Sequence, residues 1–252
     1  MHFIKLPIQP LLFLGCCATT GLFAQTGAFM KPNQHAYYYI LTPTGFAAPP
    51  GQSMFQNGAI ALSQYQKTTP RGNSWGIGLI PTLLFGESYM PMWVFGHKRI
   101  PLGGRKQSPR SVLNLGGFFV SVPETYDRGS METNDVSFFY ANSTFGTPEK
   151  NFAVGGFAVP TGFGQGRYPW GFSLHGLVRL GKKSCLVTEN YAIYNQGKWR
   201  PLSVSGWRFW KRRLALDCML GITKVPWDDN EARRSFFVPV PWVAVHYNRH
   251  RV

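Results

Sequence analysis

Acidic side chains are scarce in this sequence: 11 Asp and Glu stand against 26 Lys and Arg in 252 residues. Charge of either sign is sparse, at 15% of residues, where an ordinary soluble domain carries roughly 25%. Long apolar runs are missing as well. Past the N-terminus no stretch approaches the ~20 apolar residues of a membrane-spanning helix, which excludes a helical membrane protein. A 3.6-residue hydrophobic period is nearly absent, which argues against a helical domain. Cysteine is rare, with four residues, and no spacing resembles a zinc or haem site. Aromatic residues, by contrast, make up 15% of the chain, beside 28 Gly and 19 Pro. That aromatic content excludes a disordered chain.

Residues 1–24 have the order of features of a secretory signal peptide. His2 and Lys5 form a basic start, an apolar stretch follows over 11–23, and small residues surround a cut between Ala24 and Gln25. Residues 25–252 are then one exported domain. Cys16 and Cys17 would suit a lipoprotein, but Phe13 stands three residues before Cys16 and the apolar stretch ahead of it is short. Export leaves Cys185 and Cys218. Each sits in a strand-like run where a thiol fills an apolar slot, so both are expected to stay unpaired.

The remainder is a succession of strand-like runs punctuated by Gly, Pro, Asn and Asp. Leu214, Leu216, Cys218, Leu220 and Ile222 fall on one face, with Arg213, Ala215, Asp217, Met219 and Gly221 on the other. Trp170, Phe172, Leu174, Val178 and Leu180 alternate in the same way with Gly171, Ser173, His175, Leu177 and Arg179. A period of two means strands with one apolar and one more polar face. Runs over 36–41 (the weakest), 52–66, 74–85, 88–100, 110–122, 134–145, 151–160, 170–180, 183–195, 199–210, 212–223 and 235–247 give twelve strands. Many reach the 9–11 residues that a tilted strand needs to cross a bilayer. Leu180-Gly-Lys-Lys-Ser184, Trp210-Lys-Arg212 and Phe145-Gly-Thr-Pro-Glu-Lys150 read as tight turns, whereas 122–133, 160–169 and 225–234 read as longer loops. Alternating short and long connections is the habit of outer-membrane barrels. Trp75, Trp93, Trp170, Trp199, Trp210 and Trp242 stand where strand ends would meet the membrane interface. The expected fold is one antiparallel transmembrane β-barrel of twelve strands, or ten if 36–41 lies outside the wall. A soluble β-sandwich, the competing all-β fold, accounts for neither the strand lengths nor these tryptophans.

The segment Tyr37-Tyr-Tyr-Ile-Leu-Thr-Pro-Thr-Gly-Phe-Ala-Ala-Pro-Pro-Gly-Gln-Ser-Met-Phe-Gln-Asn57 resembles the opening of a broad group of uncharacterised outer-membrane-type β-barrel proteins found in Bacteroidetes. Leu186-Val-Thr-Glu-Asn-Tyr191, Leu214-Ala-Leu-Asp217 and Pro239-Val-Pro-Trp242 are similar to that group's later blocks, in the same order. The chain departs from the pattern at Ala47-Ala-Pro-Pro50, where a charged stretch is usual, and in Arg251-Val252, where an aromatic residue is usual. The resemblance implies the barrel and its location in the outer membrane of a Gram-negative bacterium. It implies no activity.

If the apolar faces meet lipid, the polar faces line the lumen. His175, Arg179, Glu189, Arg208, Arg213 and Asp217 then form a polar network, with Ser173 beside it. Counting back from the turn at Gly181 sets His175 opposite Glu189. Buried charges must be paired or hydrated, so the leading reading is an internal ion-pair network. A polar constriction that passes small solutes is the functional reading. The alternative is a lipid-modifying enzyme, with Ser173 as nucleophile, His175 as base and Glu189 as its orienting acid. No Gly-x-Ser-x-Gly elbow accompanies that trio. No metal or cofactor motif is present either. The basic excess, in His97-Lys-Arg99, Lys182-Lys183, Lys211-Arg-Arg213 and Arg233-Arg234, reads as turns spread along the chain rather than a nucleic-acid stripe. Phospholipid headgroups or lipopolysaccharide phosphates are the expected partners of such cations. Nucleotide binding has no supporting glycine-rich loop.

Overall fold

The structure, a computed structural model, describes residues 35, 38–40, 42–46, 51–58, 62–81, 90–105, 108–125, 131–160, 168–226 and 235–249. The expected signal peptide lies outside these residues. Twelve strands form the wall: β1 (Ser53–Gly58), β2 (Leu62–Thr68), β3 (Ser74–Leu79), β4 (Met92–Arg105), β5 (Ser108–Thr125), β6 (Met131–Thr147), β7 (Lys150–Ala158), β8 (Trp170–Gly181), β9 (Ser184–Asn195), β10 (Lys198–Lys211), β11 (Leu214–Pro226) and β12 (Ser235–Arg249). Each pairs antiparallel with the next, and β12 closes on β1 from Ser53↔Arg249 to Gly58↔Ala244. Closure leaves no strand edge, so the ladder satisfies the wall's backbone without water, as a lipid surroundings demands.

The count of twelve agrees with the sequence for a reason the sequence hides. Residues 38–40, from the run 36–41 expected as the first strand, are not part of the wall, and 36, 37 and 41 lie outside the described residues. The expected strand over 52–66 is instead the hairpin of β1 and β2. Gly58 and Leu62 pair across a three-residue connection, which preserves parity, so Met54, Gln56, Gly58, Leu62, Gln64 and Gln66 all lie on the inner row. Alternation therefore runs straight through the turn and masks it. The two differences cancel.

At one end of the barrel β4–β5, β6–β7, β8–β9 and β10–β11 are joined by two residues each, and β2–β3 by residues 69–73. The β10–β11 turn needs a left-handed residue and places Arg212 there, at φ 55°. This is the turn end. The connections over 80–91, 159–169 and 227–234 lie at the other, the loop end. One loop expectation changes. Ladder pairs continue to Thr125↔Met131, so most of 122–133 is a projecting hairpin. The loop-end turn of β9–β10 is Gln196-Gly197, both at positive φ, within the short gap between the expected runs 183–195 and 199–210.

The exterior is apolar. Phe55, Ile77, Val94, Phe119, Phe172, Trp207, Leu216 and Val243 all stand exposed on outward rows. Trp170, Phe172, Tyr194 and Trp199 form a ring cluster at the loop end, with centroids 5.2–6.2 Å apart. Trp75 is outward as well. Two expected belt residues are not. Trp93 lies across the inner-row Gly78, and Trp210 packs inside against the buried core. The side chain of Trp242 is outside the described residues. His97, Lys98 and Arg99, expected in a turn, fall within β4.

Cys185 is fully buried on the inner face and Cys218 is exposed on the outer face. They stay unpaired because they lie on opposite faces of the wall.

Candidate functional site

The inner wall is polar in its turn-end half and aromatic in its loop-end half. Phe95, Phe118, Phe138, Tyr140, Phe157 and Tyr191 form a connected array of ring contacts across β4, β5, β6, β7 and β9, with centroids 5.3–6.2 Å apart. Facing glycines make room for it. A Cβ on Gly116 would sit 2.3 Å from the Tyr140 hydroxyl, and one on Gly171 would sit 2.9 Å from the Phe157 ring.

The turn-end half is filled by the chain itself. Residues 35, 38–40 and 42–46 form a finger that folds back on itself inside the barrel. Tyr38 and Pro43 bridge its two limbs, and the Tyr39 N–H donates to the Thr42 carbonyl at 2.9 Å. His35, Tyr38, Tyr39, Ile40, Thr42, Thr44 and Phe46 are all buried. Tyr39 and Ile40 join one apolar cluster with Ala153, Leu177, Cys185, Val187 and Met219 of the wall. On the returning limb, a Cβ on Gly45 would lie 2.7 Å from Thr144 Cβ and 2.9 Å from Val112 Cβ, so only glycine fits there.

Two charged groups of the wall hold the finger. Arg208, 1% exposed, uses all five of its N–H donors. Nε and Nη2 donate to the two carboxylate oxygens of Asp217 at 2.7 and 2.8 Å. Nη1 donates to the carbonyls of His35 and Tyr38 at 2.8 and 2.6 Å, and Nη2 also donates to that of Tyr39. Asp217 in turn contacts His246 Nε2 at 2.8 Å. Glu189 does the converse. Its carboxylate accepts from the backbone N–H groups of Ile40 and Thr42 at 2.8 and 3.0 Å, and from the hydroxyls of Thr42 and Tyr191. A cation for the finger's carbonyls and an anion for its amides thus stand on neighbouring strands. A buried peptide without secondary structure needs such partners.

Neutral side chains complete the seat. The Tyr39 hydroxyl donates to Asn151 Oδ1 at 2.7 Å, Gly45 N–H to Thr144 Oγ1 at 2.9 Å, and Gln56 Nε2 to the Ile40 carbonyl at 3.3 Å. Tyr38 donates to Gln66. His35 Nδ1 contacts Asn248 Nδ2 at 2.8 Å while its Nε2 lies 3.3 Å from the Arg212 carbonyl. A neutral imidazole protonated on Nε2 satisfies both contacts. Burial holds the His35 pKa down at about 4, opposed by the Arg212 carbonyl and reinforced by the Arg208 charge.

Of the residues read from the sequence, His175, Glu189, Arg208 and Asp217 are inside and buried. His175 pairs with Glu189 across β8 and β9, in the expected register. Arg179 is on the inner row but at the rim. It donates to Glu149 at 2.8 Å and to the carbonyls of Gly181 and Lys182, and lies 5.4 Å from the Trp210 ring. Arg213 is not in the lumen. The strand starts one residue later, at Leu214, and Arg213 is exposed in the turn.

Ser173, His175 and Glu189 share the inner face but do not form a relay. Among the described residues no hydrogen bond joins Ser173 to His175. Both ring nitrogens of His175 lack a hydrogen-bond partner, with Nδ1 3.7 Å from Glu189 Oε1. Its ring is stacked on Tyr39 at 5.0 Å and edge-on to Tyr191 at 5.5 Å. Among the described residues no group of three His, Cys, Asp or Glu is set to hold a metal ion. Sequence reading missed His246, Asn248, Gln56, Gln66, Asn142, Thr144 and Asn151. The signal was there in outline: several fall two apart within strand runs, as inner-row residues must.

No protein-family model matches the chain, and no curated protein matches it. Two solved structures are similar to it over 79% of its length. One is a KdgM porin in complex with disordered oligogalacturonate, with 98% of that chain covered; the other is a KdgM porin, with 99% covered. Each is 9% identical in sequence, with a TM-score of 0.49.

Proposed function

We propose that this chain is an integral outer-membrane barrel whose resting state is closed, its turn-end lumen occupied by its own N-terminal finger. The turn end faces the periplasm in this reading and the loop end faces outward, the usual arrangement of such barrels. Residues 1–24 serve as the export signal, and the resemblance to the Bacteroidetes barrels is part of the same reading. The observation that carries it is Arg208, whose guanidinium spends three of its five donors on finger carbonyls. A water-filled pore needs polar walls in contact with solvent. Here the polar half binds peptide and the remaining half is aromatic. The protein is therefore a structural barrel at rest, and solute passes only when the finger leaves.

Liposome swelling tests this. Proteoliposomes of the full chain should swell in small sugars no faster than protein-free liposomes. Rapid swelling would overturn the reading in favour of an open channel. Ester hydrolysis abolished by His175→Ala would overturn it in favour of the lipid-modifying enzyme.

A further inference from the structure

The wall carries a groove on its outer surface that the closed lumen does not explain. It has a volume of about 610 Å³ and spans β3 to β6 near the turn end. One row across four strands builds it: Trp75↔Gly96, Gly96↔Gly117 and Gly117↔Phe139 are successive ladder pairs. Two glycines form the floor and two outward aromatic residues form the sides. Three interstrand spacings put those sides roughly 14 Å apart at the backbone. The Phe139 ring leans over Gly117, within 3.0 Å of where its Cβ would be. Gly96 stays open, since a Cβ there would meet only the Ser74 carbonyl, at 3.7 Å. Leu115 continues the apolar lining. The width left suits a single acyl chain lying along the strands.

The turn end of the groove is polar and cationic. Lys98, Asn73 and Thr69 line it. Thr69 Oγ1 is a buried atom without a hydrogen-bond partner; His97 and Arg99 share the inner row with Ser74 and Asn114 and face the lumen instead. Lys67 and Arg71 are exposed on the adjoining strand and turn. No carboxylate is near in sequence: residues 51–123 contain seven Lys and Arg and a single acid, Glu87. An orphaned hydroxyl beside exposed cations, below an apolar trough on a lipid-facing wall, suits an anionic amphiphile.

We infer that this groove holds one anionic phospholipid, its phosphate at Lys98 and Thr69 and an acyl chain over Gly96 between Trp75 and Phe139. The inference rests on the membrane seat of the barrel but not on closure of its lumen. A phosphate accepts from the Lys98 ammonium and the Thr69 hydroxyl, which a zwitterionic or neutral headgroup does less well. The glycine floor admits the chain where any larger residue would fill the trough.

Native mass spectrometry of the full chain, released from detergent and titrated with phosphatidylglycerol, tests the site. The wild type should retain one lipid at collision energies that strip the others. Lys98→Gln should weaken retention about tenfold, the worth of one charge-assisted hydrogen bond. Gly96→Phe should abolish it, and Lys183→Gln, in the β8–β9 turn away from the groove's strands, should leave it unchanged. Circular dichroism of each variant reports that the barrel is intact. Equal retention in wild type, Lys98→Gln and Gly96→Phe would overturn the proposal. So would full displacement of the lipid by millimolar inorganic phosphate, which would mean a site for the anion alone. Neither result touches the finger, whose closure is read independently by swelling.

Discussion

Arg208 and Asp217 face each other across β10 and β11 as a directly opposed ladder pair, and each oxygen of the carboxylate receives a guanidinium N–H. The pair is almost fully buried. Removing one partner of a buried pair leaves an uncompensated charge and costs about 3–5 kcal/mol, whereas replacing both with apolar groups is often neutral. Arg208→Met should therefore destabilise the barrel by about that amount and free the finger. Arg208→Met with Asp217→Leu should restore the wall's thermal stability while the finger stays released. Limited proteolysis between Tyr38 and Phe46 separates the two effects.

Glu189 is an acceptor toward four donors, two of them finger amides. Glu189→Gln keeps one oxygen but turns an NH₂ group toward those donors. Hydrogen exchange at the Ile40 and Thr42 amides should speed up by at least tenfold, the loss of one charge-assisted bond. Exchange at wall amides such as Val187 should not change.

His35 gives the finger a pH dependence. Its pKa is about 4 when seated and returns toward its ordinary 6.5 once exposed. The released state therefore binds more protons between those values, so the seated state loses stability as pH falls. The contribution is fully present above about 6.5 and gone below about 4. Finger release, read by proteolysis, should rise by up to tenfold per pH unit across that window. His35→Gln should flatten the profile.

The two cysteines report the wall's two faces. An apolar maleimide partitioned into the bilayer should label Cys218 in the folded protein and leave Cys185 unreacted until unfolding. Non-reducing electrophoresis should show no internal disulfide. Labelling of Cys185 in the folded state would place that stretch of β9 with its opposite face inward.

The barrel was legible because strand alternation reports a lipid face and a lumen face directly. The row Leu214, Leu216, Cys218, Leu220 and Ile222 faces outward as read, and His175 met Glu189 by counting from one turn. Arg208 and Asp217 were legible as inner charges for the same reason. The finger was not. Tyr38, Tyr39 and Ile40 look like a strand because an apolar run that packs inside a barrel has the same composition as one that forms its wall. What distinguishes them is the partner of each backbone group, and those partners, Arg208 and Glu189, lie some 150 or more residues away. The β1–β2 hairpin escaped because its three-residue connection keeps parity. The groove on the outer face escaped because Gly96 and Gly117 become neighbours only through the β4–β5 register.

Planar-bilayer recording tests the closed lumen most directly. The full chain and a variant lacking residues 35–46 are compared at equal insertion, with folding verified for both. The account predicts a silent full-length barrel and stepwise ohmic conductance once the finger is gone. Equal steady conductance from both proteins would contradict it.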